Sequence, residues 1–189
     1  MSQKILIIGT GRQAKKLGDV LKLDGSMDIT TVSDCASAHD TARVLMPDVV
    51  LLDAAVCEDA VTLAARMIED RPVPIVMLSS YDQIQLVMGA DAVGVSAHLF
   101  KPITRENLLG AINLGISRFR QCQLLREEIG VCREALRIRK IVERAKGILM
   151  KRGALTEEEA FLRLQKLSRD RNVKMEKVAE SIITASEIM

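Results

Sequence analysis

The chain has few aromatic residues and no long apolar run, and both absences restrict what it can do. Only 2% of its 189 residues are aromatic, and tryptophan is absent. We therefore expect an aliphatic core and no binding of nucleic acid by rows of stacked aromatic rings. Because no apolar run approaches the ~18 residues of a membrane-spanning helix, we expect no membrane association and no signal sequence.

Cysteine is also scarce, and its four copies lie in no pattern typical of a metal site. None belongs to a CxxC motif or a Cys/His cluster, the positions being Cys35, Cys57, Cys122 and Cys132. We therefore predict no zinc site and four free thiols in a reducing cytoplasm. Neither histidine has an evident nucleophile as a partner, so we expect no enzyme activity.

Charge is distributed unevenly along the chain. Residues 1–117 hold 10 basic and 14 acidic side chains, a net charge of −4, whereas residues 118–189 hold 17 and 11, a net charge of +6. An acidic front and a basic tail suggest a sensor followed by an output that binds a polyanion. The solvated surface of an ordinary charged helical region is equally compatible with these numbers.

Residues 1–117 alternate between short apolar runs and stretches with helical spacing. The predicted strands are residues 4–8, 29–32, 49–52, 75–78 and 98–100, and the predicted helices are residues 13–23, 36–45, 59–69, 84–88 and 105–116. Runs that are apolar on both faces indicate strands covered by helices on each side. We therefore predict an α/β fold with a doubly wound, five-stranded parallel sheet.

Three predicted strands end on residues that suit phosphoryl chemistry. Asp53 follows the third strand, Ser79 the fourth, and Lys101 with Pro102 the fifth. Carboxyl ends of parallel strands form the usual ligand site of such folds. There an aspartate can accept a phosphoryl group, a hydroxyl can bind it and a lysine can offset its charge.

With these residues, positions 3–117 resemble a response-regulator receiver domain, which has a flavodoxin-like fold. The resemblance implies that Asp53 is the phospho-acceptor position, that Ser79 and Lys101 are switch residues, and that Pro102 is a cis-proline. It also implies a sensor kinase or regulatory protein as a partner. The family's aromatic switch position falls near Leu99, and not at Tyr81.

The acidic pair that receivers carry after the first strand is missing here. Gly9 and Thr10 occupy those positions. Since Mg²⁺ prefers several carboxylate and water ligands, we expect no cofactor and at most weak metal binding at Asp53. Without the metal, phosphoryl transfer loses its main charge neutralisation. We predict an atypical receiver that is switched by a partner or a ligand, or not at all.

The segment that begins at Gly9 permits a rival interpretation. The segment from Gly9 to Ala14 fits the GxGxx[G/A] pattern between a strand and a helix, which is typical of dinucleotide binding. Asp34, after the second predicted strand, would then meet a ribose hydroxyl. A nucleotide-binding sensor is therefore one alternative, and a simple tight turn is another.

Residues 118–137 are predicted to form a long coiled-coil helix. Apolar residues follow a 3-4 spacing over about two heptads, at Cys122, Leu125, Ile129, Cys132 and Leu136. This seam favours a homodimer. Packing of the seam within one chain remains the alternative.

Residues 138–189 are predicted to form a three-helix bundle. Thr156 and Glu159 form a capping box at the start of the second helix, and Gly153 is expected to end the first. The string from Ala145 to Met150 (AKGILM), followed by Glu-Ala-Phe161, resembles the ANTAR domain over residues 128–188. That resemblance implies an RNA-binding transcription antiterminator that holds hairpin RNA in nascent transcripts.

The RNA contacts are expected on the first helix and at the end of the second. The candidate residues are Arg144, Ala145, Lys146, Gly147, Lys151, Lys166 and Arg169. The cationic ones can neutralise phosphates, whereas Phe161 is expected to be a core residue. Because small helical bundles also build DNA readers, a DNA-binding response regulator stays as an alternative.

Overall fold

The computed structural model describes residues 2–22, 27–57 and 59–187. Contacts divide the chain into two compact units, Met1–Gln123 and Leu124–Met189. Leu23, where the first helix was predicted to end, lies outside the described residues. No described helix combines the length and the apolar character that a membrane crossing requires.

The first unit is built on five parallel strands. They are β1 (Gln3–Ile8), β2 (Met27–Val32), β3 (Val49–Asp53), β4 (Ile75–Ser79) and β5 (Ala97–Phe100). The strands lie side by side in the order β2-β1-β3-β4-β5. This confirms the predicted doubly wound sheet, and it makes β3, β4 and β5 neighbours.

Helices cover both faces of that sheet because alternate strand residues point to opposite sides. The helices are α1 (Gly11–Lys22), α2 (Cys35–Leu45), α3 (Ala60–Asp70), α4 (Ile84–Val93) and the start of α5 (Arg105–Gly153). On one face Leu6, Leu52 and Met77 pack among α2, α3 and α4. On the other, Ile7 and Leu51 pack against α1 and α5. The strands are buried on both sides, as their continuous apolar runs predicted.

Asp34 and Asp59 start α2 and α3. The Asp34 carboxylate accepts a hydrogen bond from the Ser37 amide at 2.8 Å, and the Asp59 carboxylate accepts one from the Thr62 amide at 2.9 Å. Each bond satisfies an amide that the first helical turn leaves without a partner. Asp34, assigned to a ribose hydroxyl in the nucleotide-binding alternative, is thus engaged as a helix cap.

The prediction of four free thiols is wrong. Cys35, the first residue of α2, forms a disulfide with Cys57, and their Cα atoms lie 5.9 Å apart. Cys122 and Cys132 are free and exposed. Sequence spacing gave no signal for the bond, because the fold brings together two cysteines 22 residues apart.

The second unit is a three-helix arrangement. The C-terminal part of α5 packs with α6 (Glu157–Asp170) and α7 (Met175–Glu187) around a small core of Val142, Ala145, Leu164, Val178 and Ala179. The Thr156–Glu159 capping box is confirmed. Helix α5 ends at Gly153, although the residue with left-handed backbone is Ala154, at φ 47°.

Phe161 is not a core residue, in contrast to the prediction. Its side chain is 40% exposed. The buried face of α6 follows the i, i+4, i+7 spacing of Ala160, Leu164 and Leu167. Phe161 lies one residue, or about 100°, away from that line. The second unit therefore presents one aromatic ring to solvent.

Candidate functional site

The first unit gathers the predicted receiver residues at the carboxyl edge of its sheet. Asp53 ends β3, Ser79 ends β4, and Lys101 directly follows β5. The Lys101 amide donates to the Ser79 carbonyl at 2.9 Å, which continues the strand pairing to this edge. The Lys101–Pro102 peptide bond is cis.

Asp53 is buried and directly paired with Lys101. The Lys101 ammonium donates to the two carboxylate oxygens at 2.7 and 3.0 Å. The Ala55 amide donates to Oδ1 at 3.0 Å. Asp53 is only 4% exposed, so its charge depends on these partners for the stabilisation that water would otherwise provide.

The hydroxyl group of Ser79 is buried and could form a hydrogen bond with a polar group that enters this site. The residue is fully buried, and its Oγ has no hydrogen-bond partner among the described residues. A buried polar atom without a partner costs about 1–3 kcal/mol. A polar group that reached this edge would recover part of that cost by bonding to Ser79.

Position 9, beside Asp53, offers no side-chain ligand for a magnesium ion. A Cβ atom placed on Gly9 would lie 3.8 Å from the Asp53 Cβ, so position 9 borders the site but brings no ligand to it. Both oxygens of Asp53 face the Lys101 ammonium. Within residues 2–22, 27–57 and 59–187, no three acidic, histidine or cysteine side chains are grouped closely enough to hold a metal.

Replacing Lys101 with methionine is expected to destabilise the first unit. The change leaves a buried carboxylate with one amide donor, and we expect a loss of about 2–3 kcal/mol. This is below the ~3–5 kcal/mol of a fully buried pair because Lys101 keeps 20% of its side chain exposed. Urea unfolding measures the effect, and a second change, Asp53→Asn, should recover much of it by removing the charge. An unchanged unfolding midpoint in Lys101→Met would contradict this assignment.

A stacked aromatic pair beside this edge was missed by the sequence reasoning. Tyr81, just after β4, lies on Phe100, the last residue of β5, with ring centroids 4.8 Å apart and planes 8° from parallel. The resemblance to receivers had placed the aromatic switch position near Leu99 and not at Tyr81. The pairing depends on two neighbouring strand ends, and nothing local in the sequence signals it.

In the second unit, Lys146 is held by two carboxylates. Its ammonium lies 2.7 Å from Glu157 Oε1 and 2.9 Å from Glu143 Oε1, and the residue is 7% exposed. The hydrogen bond to Glu157, followed by that to Glu143, raises the pKa of Lys146 above its ordinary value of 10.5. The same contact with Lys146 lowers the pKa of Glu157 below 4.5.

These shifts predict a pH window for the pair. The contribution of Glu157 is fully present above pH 4.5 and is lost as pH falls through its lowered folded-state pKa. That of Lys146 is present below pH 10.5 and is lost as pH rises through its raised pKa. Glu157→Gln should therefore narrow the difference in melting temperature between neutral and acid solution. Glu158→Gln, the adjacent matched change, should not, and equal effects of both would refute the pairing.

The other candidate residues on or next to the AKGILM segment differ in their exposure. Ala145 is fully buried in the helical core, so its side chain has no surface for RNA and the predicted contact there does not fit this structure. A Cβ on Gly147 would meet only open space, which leaves the backbone accessible at that point. Arg144 is exposed and pairs with Glu187 at 2.8 Å.

Three of the predicted cations are exposed and, unlike Arg144, form no ion pair with a described residue. They are Lys151 at the end of α5, and Lys166 and Arg169 on α6. Within the described part of the chain, no carboxylate lies close enough to pair with them. Lys166 and Arg169 are three residues apart and so lie on the same side of α6. These three side chains, termed the basic surface below, offer positive charge that acidic neighbours do not neutralise.

The predicted seam on α5 is fully helical and open. Cys122 and Cys132 are exposed, and Leu125, Ile129 and Leu136 are 57%, 50% and 53% exposed. All five positions of the predicted seam are therefore exposed.

Each of the two units matches a known domain family. Residues 10–113 match the response regulator receiver domain, and residues 132–183 match the ANTAR domain. The transcriptional regulatory protein PdtaR of Mycobacterium tuberculosis (strain ATCC 25618 / H37Rv) is 34% identical over 168 residues, which is 88% of this chain and 82% of that protein. The transcriptional regulatory protein KdpE of Staphylococcus aureus is 27% identical over 115 residues, or 60% of this chain and half of that one.

Solved receiver structures share the fold of the first unit. A CheY-like receiver from Methanospirillum hungatei JF-1 has a TM-score of 0.58 at 15% identity and covers 64% of this chain and 98% of its own. The receiver of a modulated diguanylate cyclase from Desulfovibrio desulfuricans G20 has the same TM-score and coverage at 26% identity. The matches confirm the receiver fold, and with PdtaR they point to a regulatory protein.

Proposed function

Because the chain belongs to the family of response regulators that join a receiver domain to an ANTAR domain, we propose that it binds hairpin RNA in nascent transcripts. In this proposal it acts as a transcription antiterminator, in the cytoplasm, and has no enzymatic step of its own. The observation that carries the proposal is the ANTAR match over residues 132–183, together with the basic surface on the same unit.

The contacts of the cations assign them different roles toward RNA. Lys151, Lys166 and Arg169 are free to neutralise phosphates as the protein approaches. Lys146 is held by Glu143 and Glu157, so it meets a phosphate only if the RNA displaces those carboxylates. We therefore assign the first contact to the basic surface and a later one to Lys146, with the open backbone at Gly147 nearby in the sequence.

We further propose that Phe161 contacts a base of the RNA. RNA loops are recognised where unstacked bases meet aromatic rings or guanidinium planes. The 40% exposed ring of Phe161 lies one helical turn after Glu157, the partner of Lys146, so the two positions share a side of α6. One loop base stacked on this ring would complement the phosphate contacts of the cations.

We propose that the receiver is atypical in the signal that switches it. Gly9 and Thr10 supply no carboxylate, and Lys101 occupies both oxygens of Asp53. Switching is therefore assigned to a partner or a ligand and not to efficient phosphorylation. A cleft of about 390 Å³ supports an acidic partner, because Arg12 and Lys16 border it over an apolar floor.

We assign the seam on α5 to a homodimer. Its 3-4 spacing matches a coiled-coil stripe, and Leu125, Ile129 and Leu136 are at least half exposed. Two copies side by side would present two ANTAR units, which suits an RNA with two adjacent hairpins.

Fluorescence anisotropy with a labelled two-hairpin RNA tests the function. We expect binding whose logarithmic affinity falls linearly with the logarithm of salt concentration, with a slope set by the phosphates contacted. Duplex DNA of the same length is the control for the DNA-binding alternative. Preference for the DNA, or no binding of any RNA, would overturn the proposal.

A further inference from the structure

The Cys35–Cys57 disulfide joins two segments that border the Asp53 site. Cys35 begins α2, and Cys57 lies in the loop that follows β3, four residues after Asp53. A bond between two surface segments of an already well-packed sheet is not needed to form that sheet's core. The position of the disulfide suggests that the bond restrains the loop that follows β3.

That loop supplies part of the environment of Asp53. The Ala54 amide donates to the Leu78 carbonyl at 2.9 Å, and the Val56 amide donates to the Asp53 carbonyl at 3.1 Å. The Ala55 amide donates to the Asp53 carboxylate. The loop is therefore held to the sheet at its start, while the disulfide holds its far end to α2.

Both cysteines of the disulfide lie at the surface of the first unit. Cys35 and Cys57 are only partly buried, and both line an open surface cleft together with Ser33 and Arg66. Cys122 and Cys132 are different, because they stand ten residues apart on one helix. A helical rise of ~1.5 Å per residue separates them by about 15 Å, which is too far for a bond between them.

We propose that Cys35 and Cys57 are a reversible redox pair, oxidised by a hydroperoxide, that controls the loop carrying the Ala55 contact to Asp53. In the reduced state no covalent bond joins α2 to the loop, and in the oxidised state the disulfide joins them. The proposal concerns the first unit only and does not depend on RNA binding by the second.

The chemistry balances in two steps. One thiolate attacks the O–O bond of the hydroperoxide, forming a sulfenic acid and releasing an alcohol, or water in the case of hydrogen peroxide. The second thiolate then attacks the sulfenic sulfur, the S–S bond forms, and water leaves. Two thiols lose two electrons and two protons, and the hydroperoxide is reduced. A dithiol of the thioredoxin class reverses the reaction by exchange through a mixed disulfide.

Mass spectrometry of the folded full-length chain tests the pair. After reduction with dithiothreitol, about one equivalent of hydrogen peroxide should join the Cys35 and Cys57 peptides, and fresh dithiothreitol should separate them without denaturant. Cys35→Ser should abolish the crosslink, whereas Cys122→Ser/Cys132→Ser should leave it unchanged. Cysteines that stay reduced under peroxide would overturn the proposal. A crosslink that resists dithiothreitol in the folded protein would overturn it too, because the bond would then be structural.

Hydrogen exchange tests the consequence for the loop. Opening of a loop is rarer when both its ends are tied, so we expect the Ala55 and Val56 amides to exchange at least ~10-fold more slowly in the oxidised protein. The same comparison in Cys35→Ser should show no change. Equal exchange in oxidised and reduced wild-type protein would show that the pair does not control the loop.

Discussion

Lys166→Ala combined with Arg169→Ala is expected to weaken binding of the two-hairpin RNA by about 10- to 100-fold near 0.1 M salt. The two side chains lie on one side of α6 and are exposed. If each contacts a phosphate, the slope of logarithmic affinity against logarithmic salt should fall by about 1 per residue removed. Anisotropy titrations at several salt concentrations measure both quantities.

Lys177→Ala is the matched control for that pair of changes. Lys177 is also an exposed cation of the second unit, but it lies on α7 and pairs with Glu180 at 2.8 Å. Its removal should change affinity by less than about 2-fold, because an ion-paired cation contributes little net charge to the surface. Equal losses for Lys177→Ala and the double variant would indicate a general charge effect, with no defined basic surface.

Thr10→Asp is expected to raise the magnesium-dependent labelling of Asp53 by acetyl phosphate at least ~10-fold over a weakly labelled wild type. A second carboxylate at this edge supplies the oxygen ligand that the metal requires. Position 10 is preferable to position 9 for this test. It is exposed, whereas a Cβ on Gly9 would lie 3.2 Å from the Ala14 Cβ.

Phosphate-affinity electrophoresis measures this labelling. Asp53→Ala should remove the signal in the Thr10→Asp background, which shows that the label is on Asp53. Strong labelling of the wild-type chain that disappears in Asp53→Ala would show that the receiver is not atypical.

Those parts of the fold that depend on local pattern were predictable from the sequence. Apolar runs identified β1 to β5, because strands covered on both sides need apolar residues on both faces. The Thr156–Glu159 capping box was also predictable, since both partners lie within one helical turn. The direct contact between Asp53 and Lys101 was expected from the topology, because the ends of neighbouring strands meet at one edge.

The remaining features depend on contacts between distant segments. The disulfide, the Tyr81–Phe100 stack and the Lys146–Glu157 ion pair each join residues 11 or more positions apart. Lys146 is the instructive case. On α5 alone Lys146 is one cation among several with Glu143 as a neighbour, and only the approach of α6 adds the second carboxylate, Glu157. The sequence therefore identified the ANTAR segment but not which of its charges are free.

A single-round transcription assay tests the central claim most directly. The template carries two adjacent hairpins, the second of which competes with an intrinsic terminator, and the readout is the fraction of transcripts that read through. The account predicts that the wild-type protein increases read-through and that Lys166→Ala/Arg169→Ala does so only at much higher concentration. Termination that is unchanged by saturating wild-type protein, on RNA that the protein demonstrably binds, would contradict it.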